Sequence, residues 1–218
     1  MRNLKDRNSY LMRVFLHIKK RYDRIEKTGG ENMVSYEVLY NDVKAKISKR
    51  RFHHSEGVVQ RALEYAEVYG ADKEIVKCVA IAHDIAKEFS EEENEKYIQE
   101  YHIRLDEVEK INHNLIHAKV GAELCRHQYG FTEDMANAIK YHTTGRANMS
   151  LLEKIIYLAD ATDANRNYDD IEYYVDLIKR DIDQGVAEVC KWVIDDLTEK
   201  NRMIHENSIK CYEYYSKQ

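Results

Sequence analysis

Apolar side chains recur along this chain every three to four residues, the spacing of one helical face. In residues 9–27 the stripe is Leu11, Val14, Phe15, Ile18, Tyr22 and Ile25, and Gly29-Gly30 closes it. Ser35 stands where an N-cap belongs, ahead of a helix through Ile47. A third helix starts near His53 or His54, carries Val58, Ala62, Leu63 and Ala66, and stops at Gly70. Asp72 caps the next, whose apolar run carries it to about Lys87. Ser90 with Glu93, and Ser150 with Glu153, spell capping boxes; the second opens a helix through Ala161. Between them, residues 113–129 form an amphipathic helix ended by Gly130, and Thr132 caps a helix that ends near His142. Two further helices, about 170–183 and 186–216, complete the chain. Alternation at period two is sustained nowhere, so the pattern predicts an all-α fold without a sheet.

Composition supports that reading. The 218 residues include 8 glycines and not one proline, against an average proline usage of about 5%. Folds that lean on Pro/Gly turns, such as sandwiches and propellers, are thereby disfavoured. A hydrophobic share of 44% supplies a real core. The best boundary is at Gly29-Gly30: residues 1–32 form a basic helical arm, and 33–218 form a compact helical body.

Charge divides at the same point. The net charge is −5, but residues 1–30 hold nine Lys/Arg against three Asp/Glu. A basic arm hints at an anionic contact; the plain alternative is a solvated amphipathic helix. The overall acidity does not suggest a dedicated nucleic-acid binder. The cysteines, Cys78, Cys125, Cys190 and Cys211, show no CxxC spacing, so reduced thiols in a cytoplasmic protein are expected. The N-terminus lacks the apolar segment of a signal peptide. No stretch approaches the roughly 18 apolar residues of a membrane span.

The chemistry lies where ionisable residues interrupt apolar runs. Ile75–Lys87 is apolar nearly all round from Cys78 to Ala86, yet contains adjacent His83 and Asp84. A buried carboxylate is costly unless it is paired or binds a metal. Asp160 ends the apolar run Ile155-Ile-Tyr-Leu-Ala, and His54, His117 and His142 also sit beside apolar residues. Taken singly, each has an ordinary explanation in an ion pair, a cap or a packed ring. Together, four imidazoles and two carboxylates on different helices suit a mixed nitrogen/oxygen metal site. His113 and His117 have the i, i+4 spacing of a zinc peptidase, but the glutamate of His-Glu-x-x-His is missing.

These residues carry a resemblance. Arg51-Phe-His-His54, His83-Asp84 and the distant Asp160 resemble the H…HD…D pattern of the HD-domain metal-dependent phosphohydrolases. Five blocks are similar to one subfamily, the symmetrical bis(5′-nucleosyl)-tetraphosphatases: Arg51–Val58, Ala82–Lys87, His117–Ala122, Tyr141–Arg146 and Leu152–Asp160. The similarity spans about residues 35–215, and Tyr141-His-Thr-Thr-Gly-Arg146 is its most specific block.

The resemblance implies an HD-domain helical bundle that cleaves dinucleoside tetraphosphates, such as diadenosine tetraphosphate, into two nucleoside diphosphates. It implies His54, His83, Asp84 and Asp160 as ligands of a metal, usually iron, with manganese or zinc as alternatives. His117 and His142 would hold a second metal or contact phosphate. Asp84 and Lys87 would be the catalytic pair. Arg51, Lys87, His142, Thr143 and Arg166 would line the nucleotide diphosphate, and Ile204, His205, Glu206, Asn207 and Ser208 match a nucleotide-contacting segment. Lys119, Asp163-Ala164 and His205-Glu206 depart from the family's common Pro, Glu-Pro and His-Pro; they bear on the nucleotide loops and spare the implied ligands. The expected partner is a small nucleotide, with no membrane; nucleic acid, which only the basic arm suggests, is disfavoured, and a homodimer is allowed. Two alternatives stay open: another HD nucleotide phosphohydrolase, or a nucleotide-binding sensor without turnover.

Overall fold

The computed structural model describes residues 33–166 and 170–217. The helix expected over residues 9–27 lies outside them. The described residues form α1 (Tyr36–Lys46), α2 (Lys49–Tyr69), α3 (Lys73–Ala82), α4 (Glu91–Glu100), α5 (Glu107–Ile111), a 3-10 turn (His113–Leu115), α6 (Ile116–Tyr129), α7 (Glu133–Lys140), α8 (Leu151–Ala161), α9 (Ile171–Arg180), α10 (Ile182–Glu199) and α11 (Glu206–Tyr215). Among the described residues there is no strand, and no helix is long and apolar enough to cross a membrane.

The caps lie where local chemistry puts them. Ser35, Asp72, Thr132 and Ser150 each accept a backbone N–H of the first helical turn. Each such bond stabilises a helix by about 1 kcal/mol. Both expected capping boxes are present, at Ser90/Glu93 and Ser150/Glu153. Gly70 and Gly130 end α2 and α6 in the left-handed conformation.

Four boundaries differ from expectation. Helix α2 begins at Lys49 because Ser48 caps it by accepting from Arg51 N. Helix α3 ends at Ala82, not Lys87. Beyond it the backbone bonds run i to i+3, from Ile85 N to Ala82 O, Lys87 N to Asp84 O and Phe89 N to Ala86 O. The 83–89 stretch is thus a tightened series of turns, and His83, Asp84 and Lys87 leave the helix rather than ride on it. The stretch 186–216 is two helices. Asn201, with φ 48°, ends the first, as Arg202 N reaches back to Leu197 O. Asn is the commonest substitute for Gly in that conformation. Asp181 caps α10, which therefore begins at Ile182. A short helix, α5, was not expected; Asp106 and Glu109 form its capping box.

Helix α3 is the axis of the core. Val76, Val79, Ala80, Ile81 and Ala82 are buried all round it, and it packs against α1, α2, α7 and α8. A helix without a polar face gains its stability from burial on every side. Its C-terminal end therefore delivers the next two residues, His83 and Asp84, into the interior.

Candidate metal centre

Five elements converge on that point. His54 comes from α2, one turn after Arg51. His83 and Asp84 follow α3, His117 is the second residue of α6, and His142 lies in the turn after α7. Asp160 is near the end of α8. His83, Asp84, His117 and His142 are buried, while the Asp160 side chain keeps 23% of its surface. Glu88 ties two of these elements together: its carboxylate accepts from Ser48 N (2.6 Å) and Ser48 Oγ (2.7 Å). The cap of α2 is thereby bound to the end of the 83–89 turns.

The Asp84 carboxylate lies at the middle. Its Oδ2 accepts from Arg51 Nη1 (2.8 Å) and lies 3.6 Å from His83 Nε2 and 3.8 Å from His54 Nε2. Its Oδ1 lies 3.1 Å from His117 Nε2 and 3.6 Å from His142 Nε2. On the outer side, Asp160 Oδ1 is 3.1 Å from His54 Nε2 and 3.9 Å from His83 Nε2. Asp84 thus shares one oxygen with each of two histidine pairs.

The ring orientations reveal what the cluster is built for. His83 Nδ1 faces Ala80 O (2.7 Å), His117 Nδ1 faces Asn114 O (2.7 Å) and His142 Nδ1 faces Ile139 O (2.6 Å). A carbonyl can only accept, so each Nδ1 carries its proton. In the neutral ring every Nε2 then presents a lone pair to the centre. His54 is held the same way, with Nδ1 donating to Asp163 Oδ2 at 2.7 Å. The Nε2 atoms of His54 and His83 are buried without a hydrogen-bond partner. His117 Nε2 and His142 Nε2 stand 3.3 Å apart. Acceptors so close, facing one another and Asp84 Oδ1, require a cation or a proton between them. Imidazoles anchored through the far nitrogen are the usual arrangement of metal-ligating histidines. Three overlapping groups of side chains have ligand atoms close enough to share an ion: His54/His83/Asp84, His83/His142/Asp160 and Asp84/His117/His142.

The electrostatics follow from the packing. Burial alone would raise the Asp84 pKa, but the neighbouring histidines, His83 foremost, hold it well below the ordinary carboxylate value. Asp160 is lowered despite its desolvation, through His54 and His83. Burial pushes His117 down to about 4, so that ring is neutral at pH 7. For His54 burial acts downward, yet the carboxylates of Asp160 and Asp163 prevail and raise it to about 9, so Nε2 holds a proton at pH 7 that a bound metal would displace. Burial lowers Lys87 as well.

Asp163 was not among the candidate residues read from the sequence. It is 2% exposed, and its second oxygen accepts from Asn165 N at 2.9 Å. Its approach to α2 requires Gly57: a Cβ there would stand 1.8 Å from Asp163 Oδ1. The loop is braced from below by Thr162, whose hydroxyl pairs with Tyr65 Oη (2.7 Å) and whose carbonyl accepts from Arg61 Nε (2.9 Å). The available signal was a glycine in the middle of a helical stripe, which costs stability unless something packs against it.

The other expected residues separate into two groups. Lys87 Nζ lies 3.4 Å from His117 Nε2. Arg166 Nη2 lies 3.7 Å from Asp160 Oδ1. A cavity of about 330 Å³ adjoins the cluster, lined by Arg50, Arg51, His53, His54 and Arg166 with Asp163 and Asn165. Thr143 is half-buried in the turn after His142. In the segment Ile204–Ser208, the side chains of His205, Glu206 and Ser208 have partners within the protein. His205 Nε2 pairs with Asp106 Oδ2 (2.8 Å), its Nδ1 accepts from Asn207 N, and Ser208 Oγ donates to Thr144 O. Glu206 is exposed and pairs with Lys210 (2.7 Å). Arg146, in the most specific block, forms a two-point pair with buried Glu153.

The chain is similar to known proteins. Residues 51–165 match the HD domain family model. The symmetrical bis(5′-nucleosyl)-tetraphosphatase of Halalkalibacterium halodurans is 35% identical over 171 residues, covering 78% of this chain and 91% of the relative. The protein of the same name from Bacillus subtilis is 34% identical, covering 79% and 92%. A crystal structure from Clostridium acetobutylicum, of an HD superfamily hydrolase described as involved in NAD metabolism, superposes with a TM-score of 0.80 at 30% identity, over 85% of this chain and all of that one. The chain belongs to the HD-domain family, and within it groups with the symmetrical bis(5′-nucleosyl)-tetraphosphatases.

Proposed function

We propose that the protein is a metal-dependent hydrolase that cleaves dinucleoside tetraphosphates, such as diadenosine tetraphosphate, symmetrically. Water adds to one inner phosphorus, the central P–O–P bridge breaks, and two nucleoside diphosphates leave. The observation that carries the reading is the set of inward Nε2 lone pairs around Asp84, in a chain so similar to enzymes of that name. His54, His83, Asp84 and Asp160 would hold the metal; His117 and His142 would hold a second ion or contact phosphate. Iron is our assignment, and manganese and zinc suit the same donors. When bound, the metal supplies Lewis acidity toward a phosphoryl oxygen and acidifies water.

The chain's own residues supply the rest. Arg51 fixes Asp84 through Nη1, while its Nε is buried with no partner. That Nε, with Arg166 across the same cavity, offers guanidinium donors to phosphate oxygens. Lys87 Nζ, beside His117, is placed to neutralise charge that develops on the leaving diphosphate. Thr143 borders the same turn as His142. The buried thiols Cys78, Cys125, Cys190 and Cys211 are all free, which accords with a reducing, cytoplasmic setting. The test is chromatography of the products from diadenosine tetraphosphate, with iron, manganese or zinc added to metal-stripped enzyme. ADP as sole product supports the reading; AMP with ATP, or no turnover with any metal, contradicts it.

A further inference from the structure

The cavity of about 330 Å³ beside the cluster has one wall from the first turns of α2 and another from the loop after α8. The two walls are tied together where Asn165 Nδ2 donates to His53 O (2.7 Å). Arg50, His53, His54 and Gly57 stand at i, i+3, i+4 and i+7 of α2, and so share one face of that helix. His54 belongs to the metal cluster, and Gly57 makes room for Asp163. Arg50 lies one turn before His54, about 6 Å along the helix axis.

Three guanidinium groups, of Arg50, Arg51 and Arg166, line this one cavity. Like charges so gathered repel one another unless an anion lies among them. Among the described residues the lining has one carboxylate, Asp163, and it is engaged by His54 Nδ1 and Asn165 N. Arg51 donates to Asp84, and Arg166 leans on Asp160 at 3.7 Å. The Arg50 and His53 side chains are exposed, and among the described residues they have no hydrogen bond or ion pair. Glu88 feels the charge of Arg50, but its carboxylate is already taken by Ser48 N and Oγ. The cavity thus holds a cation without a counter-ion, one turn from a metal-cluster histidine and open to solvent.

We infer that Arg50, with His53 beside it, binds the outer phosphate of the half of the tetraphosphate that water attacks. The inference rests on the proposed hydrolysis and adds two residues that the resemblance does not assign to the nucleotide. Asp84 sets the direction of the chain. Its Oδ1 faces His117 and His142, and Lys87 stands beside His117; its Oδ2 faces Arg51, on the side of the cavity. With an inner phosphorus over the cluster and the leaving diphosphate toward Lys87, the other phosphate of the attacked half extends past His54 into the cavity. There the planar fork of Arg50 matches two phosphate oxygens, and His53 offers a ring N–H. The charge of this outer phosphate is the same before and after attack, so Arg50 binds ground and transition states alike.

The test uses metal-loaded enzyme with two probes. One is diadenosine tetraphosphate as substrate. The other is its analogue with a methylene group in place of the central bridging oxygen, which binds but cannot be cleaved there. Arg50→Ala should raise KM for the first and Kd for the second by about tenfold, the worth of one charge-assisted hydrogen bond. Its kcat should stay within about twofold of wild type, because loss of uniform binding spares kcat. Arg50→Lys should recover part of the affinity, since the charge persists without the fork. Arg50→Glu should bind more weakly than Arg50→Ala, and His53→Ala should lose less. Unfolding temperature and metal content of Arg50→Ala should match wild type, which separates lost binding from damaged structure. Unchanged KM and Kd in Arg50→Ala, or a fall in kcat at unchanged KM, overturns the inference. If the wild type cleaves no dinucleotide yet binds the analogue, and Arg50→Ala weakens that binding, the proposed reaction fails and the phosphate subsite stands. An active wild type whose Arg50→Ala variant keeps both constants refutes the subsite alone.

Discussion

Replacing Gly57 by alanine adds one methyl group to α2, three residues after His54. In an ordinary helix interior that exchange stabilises by about 1 kcal/mol. Here the new Cβ would stand 1.8 Å from Asp163 Oδ1 and 2.7 Å from Asn165 Nδ2. The Asn165 amide is the tip of an exposed side chain and can swing aside at the cost of its bond to His53 O (2.7 Å). Asp163 cannot move without breaking its bond to His54 Nδ1 (2.7 Å) and its bond from Asn165 N (2.9 Å). Loss of a charge-assisted bond in a buried place costs about 2–3 kcal/mol, so the steric term exceeds the gain in helix propensity. The expected net loss is about 1–2 kcal/mol. Because Asp163 orients His54, metal affinity should fall about tenfold or more. Thermal unfolding and a metal titration of Gly57→Ala measure both. The same substitution in an Asp163→Ala background should instead be neutral or stabilising, since the carboxylate it would strike is gone. Wild-type stability and metal affinity in Gly57→Ala, or an equal loss in both backgrounds, would refute the reasoning.

Other consequences are as direct. Asp84→Ala removes the carboxylate shared by both histidine pairs; metal binding and turnover should both be lost, as elemental analysis and product assays would show. Arg146→Ala leaves Glu153, 1% exposed, without its two-point partner; the cost should be about 3 kcal/mol in denaturant unfolding, with metal stoichiometry unchanged. Glu88 has a lowered pKa because Ser48 N and Oγ donate to it. A depressed carboxylate stabilises the fold above its ordinary value and loses that contribution as pH falls through its folded value. Glu88→Gln should therefore lower stability at pH 7 and make the difference from wild type vanish in acid.

Much of this was legible in the sequence, for identifiable reasons. Ser35, Asp72, Thr132 and Ser150 act within one turn of their own position, and a local bond leaves a local signature. His83, Asp84 and Asp160 were legible because charge inside an apolar run needs a physical reason. The end of α3 was not: the run Val79–Ala86 is equally apolar in an α-helix and in i to i+3 turns, so periodicity could not place the break at Ala82. The division of 186–216 was hidden because the chain turns on Asn201 rather than on Gly or Pro. Asp163 was out of reach for a different reason. Its partner, His54, is 109 residues away, and only the folded chain brings the two together. The partners of His205 and Ser208, Asp106 and Thr144, were likewise out of reach, being distant in the chain.

The central claim is that water attacks an inner phosphorus and splits the tetraphosphate at its midpoint. Hydrolysis of diadenosine tetraphosphate in oxygen-18 water, followed by mass spectrometry of the nucleotides, tests it most directly. The account requires ADP as the sole product, with one heavy oxygen in half of the ADP molecules and on the terminal phosphate. Label recovered in AMP or ATP would contradict it.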